Sequence, residues 1–147
     1  MALVSAFVAV CEKILIERDN VISLIRMADM FTVMPNVSRL PDGSLPPVPM
    51  QLYITLRFSH DDADEHEVSF KLVRPNGNEK VQEITKTAAS SSVIPGSDRG
   101  MNAGIPLGVI PEQMGRHEIV VLVDGDPVAR AAFFIVLPSE IAAEAMT

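Results

Sequence analysis

The residues best equipped for chemistry are gathered in one short run, His60-Asp61-Asp62-Ala63-Asp64-Glu65-His66. Paired imidazoles suit zinc or another transition metal, and carboxylate oxygens on a loop suit a hard cation such as calcium. A divalent-metal site here would draw on His60, Asp62, Asp64 and His66. Asp124 and Asp126 would add oxygens if both loops lie at the same end of the fold. Such a site would serve a metal-binding domain or a metal-assisted hydrolase. The run lacks the glycine and terminal glutamate of a calcium-loop motif, however, and acidic stretches also make ordinary solvated connections. The first reading is therefore a solvated loop with no cofactor, and the alternative is a calcium or zinc site.

Other reactive side chains are more isolated. His117 stands at the start of an apolar stretch, where a hydrogen-bonded or exposed histidine is expected rather than a general base. Cys11 is the only cysteine, and its apolar surroundings predict a buried, inert thiol. Ser90, Ser91 and Ser92 lie in a run without a nucleophile-elbow pattern. Gly96, Gly100 and Gly104 are spaced unlike either glycine-rich phosphate fingerprint. Asp29 is the odd carboxylate in an apolar segment. It is expected to be exposed on a half-buried strand; if buried it would need Arg26 or Arg57 as partner. No residue is nominated as catalytic, and the reading leans away from an enzyme.

The elements that must position these groups are set by composition and pattern. The chain has 147 residues, 48% of them hydrophobic, enough for one domain with a sizeable core. Its formal charge is −7 without a dense Lys/Arg cluster, which disfavours nucleic acid and anionic lipid as partners. Tryptophan is absent and Tyr53 is the only tyrosine, so aromatic stacking platforms are scarce. A single cysteine allows no intrachain disulfide, which suits a reducing compartment. Ala2 to Cys11 is apolar but has no basic residue before Lys13, and Val10 precedes the cysteine where a lipoprotein signal wants a small residue. It is also shorter than the roughly 20 residues that span a bilayer. The expectation is a buried strand in a cytoplasmic protein.

The chain is organised around Gly115 to Leu137, two apolar strands joined by Asp124-Gly125-Asp126-Pro127. Upstream, Met50, Leu52, Ile54, Leu56 and Phe58 alternate with polar residues, as a half-buried strand requires. Val68, Phe70 and Leu72 repeat the pattern, and Pro75-Asn76-Gly77-Asn78 predicts a hairpin returning over Glu79 to Thr87, as an edge strand or with a bulge. Leu3–Glu17 and Val21–Val33 are read as two further strands, the second with Val21, Ile25, Met27, Phe31 and Val33 on one face. Met34 to Pro49 is a proline-rich connector, Ala88 to Gly104 a mobile loop, and Ile105 to Ile110 a short strand. Ser139 to Thr147 is expected to form a short C-terminal helix or to fray.

The segment Cys11-Glu12, Ile14, Glu17, Asn20, Ser23-Leu24-Ile25, Asp29 and Phe31 resembles the opening of a family of small uncharacterised bacterial β-rich proteins. Their signature is similar to C-(D/E)-x-(V/I)-x-x-E followed by a turn and S-L-I. Where such proteins often carry Asn-Gly-Lys at the turn, this chain has Asp19-Asn20-Val21. The resemblance implies a β fold and brings no activity with it. Together the segments predict an all-β, two-sheet antiparallel sandwich, immunoglobulin-like or related, of about eight strands. The function expected is a structural or protein-interaction module. Apolar residues on both faces of the last hairpin and in the N-terminal run point to self-association, most simply as a homodimer, or to a protein partner.

Overall fold

The computed structural model describes residues 3–18, 21–27, 29–33, 38–60, 65–88, 99–111 and 114–136. Among them are nine strands and no helix: β1 (Leu3–Ile16), β2 (Ile22–Met27), β3 (Met30–Thr32), β4 (Val48–Phe58), β5 (Glu65–Val73), β6 (Glu79–Ala88), β7 (Arg99–Val109), β8 (Gly115–Val123) and β9 (Asp126–Val136). They form a four-stranded sheet, β2-β1-β4-β7, and a five-stranded sheet, β3-β9-β8-β5-β6. The two pack through one hydrophobic cluster in a sandwich-like all-β arrangement. The expected helix over 139–147 lies outside the described residues.

The core follows the alternation. Met50, Leu52, Ile54, Leu56 and Phe58 of β4 are all buried, and they face Val68, Phe70 and Leu72 of β5. Ile119, Val121 and Val123 of β8 join them, with Phe133 and Ile135 of β9. Each such side chain taken fully out of water contributes about 1.5–3 kcal/mol before chain entropy is counted. Phe31 meets Phe133 edge-on, with ring centroids 5.9 Å apart.

The organising hairpin closes as a tight turn. Asp124 and Gly125 both have positive φ, 52° and 83°, the signature of a type I′ turn, whose twist matches that of the strands it joins. Val121 pairs with Ala129 and Leu122 with Pro127, which leaves Val128 as an extra residue in a bulge. The Asn76-Gly77 hairpin also forms, with Gly77 at φ 88°. It makes β6 an edge strand, and the β5–β6 register shifts between Val68 and Ser69.

Two segments depart from the sequence reading. Val21–Val33 is not one strand with one inward face. The chain leaves the first sheet after β2 and enters the second as β3, which pairs in parallel with Phe134–Val136 of β9, the one parallel pair among the described strands. Arg26, at φ 54°, sits at the end of β2. Ile25 and Met27 are consequently exposed while Phe31 and Val33 are buried. Asp29 is exposed and its carbonyl accepts from Phe134 N at 2.7 Å; Arg26 instead pairs with Glu12 at 3.3 Å. The second departure is Arg99–Gly104, expected as loop. It belongs to β7, an 11-residue strand paired with β4 from Phe58↔Arg99 to Val48↔Val109 without a register shift. Ala88, the first residue of the expected loop, ends β6, and residues 89–98 lie outside the described residues.

Candidate functional site

The acidic/histidine loop follows β4 and leads into β5. His60 is exposed in the turn, and Asp62 and Asp64 fall outside the described residues. His66, on β5, is turned inward. Its imidazole is stacked on Phe58, with centroids 4.5 Å apart and planes at 4°, and its Nδ1 lies 2.7 Å from Asp124 Oδ2. The start of β5 and the β8–β9 turn therefore meet at one end of the sandwich. Asp124 reaches β5 twice more: its Oδ1 accepts from Glu67 N at 2.9 Å, and its own N–H donates to Glu67 O at 2.8 Å. The His66 hydrogen bond, with the Glu67 N–H, holds the Asp124 carboxyl below its usual range. Asp126 is exposed at the start of β9. Among the described residues, no three His, Cys, Asp or Glu side chains are grouped to hold a metal ion.

His117 and Cys11 are structural. His117 is almost fully buried on β8, stacked on Phe133 at 5.2 Å, with Nδ1 3.1 Å from Gly115 O. Burial lowers its pKa, so the ring is neutral near pH 7. Cys11 has no exposed surface, its thiol faces Gln51 O at 3.5 Å, and burial pushes its pKa up. Both match the sequence reading of a satisfied histidine and an inert thiol.

Sequence reasoning missed the outer face of the four-stranded sheet. On β7 the inward residues Met101, Ile105 and Leu107 pack on the core, while the outward positions are Gly100, Asn102, Gly104, Pro106 and Gly108. The three glycines leave a nearly bare surface, and neighbours lie across it. A Cβ on Gly100 would overlap the Arg57 guanidinium, one on Gly104 would stand 3.2 Å from Ile14 Cδ1, and one on Gly108 3.1 Å from the Pro47 Cβ. Glycine at every fourth position of an alternating strand was the available signal.

Ile14 reaches Gly104 because β1 runs on past its pairing with β4, which ends at Cys11↔Gln51, and continues with β2 as a two-stranded arm. Between the arm and the sheet is a cleft of about 310 Å³. Ile14, Ile16 and Ile22 line it from the arm, and Gln51, Tyr53, Asn102, Gly104 and Pro106 from the sheet. Gln51 anchors the arm, its Oε1 accepting from Ile14 N. Asn102 Oδ1 accepts from Thr55 Oγ1 at 2.6 Å and from Arg57 Nη1 at 3.1 Å.

Residues 30–136 match the model of a family described as a family of unknown function, DUF6941. The matched region starts beyond Cys11–Ile25, where most of the signature resemblance was drawn. No curated protein matches the chain. Among solved structures, the alkylpurine DNA glycosylase AlkC of Pseudomonas fluorescens, bound to DNA containing an abasic site analog, aligns with a TM-score of 0.45 at 17% identity. The alignment covers 88% of this chain and 30% of the glycosylase, so the chain spans less than a third of that protein. An immunoglobulin-like protein of Pseudomonas aeruginosa aligns with a TM-score of 0.41 at 10% identity, over 90% of this chain and 98% of the other.

Proposed function

Because the chain belongs to that family of unknown function, its role has to be read from its own surface, and we propose that it is a non-enzymatic interaction module that assembles with a second copy of itself. The observation carrying this reading is the apolar exposure of the β1–β2 arm. Met27 is 62% exposed and Val21 56%, Ile25 adds a further open side chain, and the pairing of β2 with β1 sets the three on one face of the arm. A monomer gains nothing by holding such a group of side chains in water, and covering them with an identical patch is the simplest closed solution.

Native mass spectrometry with sedimentation velocity, on protein purified without chelator, tests the proposal. The expected result is a metal-free dimer that Met27→Glu converts to a folded monomer. A wild-type monomer at every concentration reached would overturn it. A stoichiometric metal in the same spectra would instead favour the His60–His66 loop as the working site.

A further inference from the structure

The cleft beneath the arm has a chemical polarity that its residue names do not reveal. Two of its lining residues are amides, and an amide offers a ligand either an acceptor oxygen or a donor NH2. Here both oxygens are already engaged. Gln51 Oε1 accepts from the backbone N–H of Ile14, and a backbone N–H can only donate. Asn102 Oδ1 accepts from Arg57, and a guanidinium can only donate. These partners fix the orientation of each amide and leave Gln51 Nε2 and Asn102 Nδ2 as unengaged donors. The third polar lining group is the Tyr53 hydroxyl, which can also donate. Arg57, whose Nη1 is held by Leu56 O at 3.0 Å and by Asn102 at 3.1 Å, stands behind Asn102 with its charge and has no carboxylate partner among the described residues. The opposite wall is aliphatic: Ile14, Ile16 and Ile22.

We propose that this cleft binds an aliphatic monocarboxylate, its chain lying against the three isoleucines and its carboxylate accepting from Gln51 and Asn102 with Arg57 supplying the compensating charge. Two unengaged amide donors near a cation without a carboxylate partner among the described residues favour a group that carries both acceptors and negative charge, and a carboxylate carries both. The volume, about 310 Å³, is at the small end of ligand pockets and suits a chain of modest length. A small molecule fits better than an extended peptide added along β7, because Pro106 lines the cleft and has no N–H to contribute to such a ladder. The site does not depend on self-association, since Val21, Ile25 and Met27 do not line it.

Titration of the full chain with octanoate, followed through the side-chain NH2 resonances of Gln51 and Asn102, tests the assignment. Octanol and octyltrimethylammonium carry the same tail without the carboxylate. The expected result is saturable shifts with octanoate and at least about tenfold weaker binding of the other two, the difference made by one charged-group interaction. Gln51→Glu and Asn102→Asp keep every internal hydrogen bond described above, because each retains its acceptor oxygen, yet turn the donor facing the cleft into an anion. Each should weaken octanoate at least about tenfold. No saturable shift with octanoate, equal binding of octanol or the ammonium, or unchanged octanoate affinity in both variants would overturn the proposal. The wild-type ligand series decides it even if a variant fails to fold.

Discussion

Asp124 does three jobs with one side chain and one backbone group. It occupies a left-handed turn position, hydrogen-bonds His66, and ties the β8–β9 turn to Glu67 of β5. Asp124→Asn keeps the turn, because asparagine tolerates positive φ, and keeps an acceptor oxygen, so it isolates the charge. We expect it to cost about 1 kcal/mol in urea denaturation at pH 7. The pH dependence has a defined sign. A carboxyl whose folded pKa is depressed contributes stability above its unfolded value of about 3.9, and that contribution is lost as pH falls through the folded value. Wild type and Asp124→Asn should therefore converge in stability as the medium is acidified below that range. A gap that persists unchanged at low pH would show that the carboxylate charge is not what ties turn to strand. At this scale the sequence was partly legible. His66 and Asp124 were both singled out, and the structure joins them, because histidine and aspartate advertise their chemistry. Gln51 and Asn102 do not. Their significance depends on β4 and β7 being paired in a register that sets Thr55 against Asn102 and Tyr53 against Gly104, and nothing local encodes that register.

Strands read best where one face is buried and the other is wet. β4 was legible to within a residue or two for that reason, and the β8–β9 hairpin because Asp-Gly has few other uses between apolar runs. β2 and β3 were fused because the alternation runs through the crossover: it keeps its phase while the sheet it faces changes. β7 was read as loop over its first half because Gly100 and Gly104 continue a Ser- and Gly-rich run that holds Pro95-Gly96, although Met101, Ala103, Ile105, Leu107 and Val109 alternate without a break. Those glycines make a ranked prediction. Gly104→Ala meets the Cδ1 end of Ile14, which can rotate away, whereas Gly108→Ala meets Pro47, whose ring cannot. Chemical denaturation should find Gly104→Ala near neutral and Gly108→Ala destabilised by about 1 kcal/mol or more, the ordinary scale of overpacking. The reverse order would mean that the arm, not the proline connector, sets the spacing over β7.

Taken whole, the molecule holds its two sheets together with contacts made far apart in sequence, a topology that folds in milliseconds to seconds rather than microseconds. Cys11 offers a direct reporter. It is closed off at the seam where β1 leaves β4, with a pKa raised by burial. A thiol reagent at neutral pH should leave it unmodified in the native protein and label it at a rate set by opening of that seam. Labelling at the rate of a free thiol would place Cys11 in contact with solvent. The parallel pairing of Met30–Thr32 with Phe134–Val136 also has a consequence for how the chain is born. A ribosome delivers β3 about 100 residues before the strand that completes its ladder, a delay of roughly 5–20 s at ordinary elongation rates. Throughout that interval Phe31 has no Phe133 to meet. The nascent chain therefore carries an aromatic residue without its partner until β9 has been made, which makes this segment a natural point of attachment for a chaperone working on the unfinished protein.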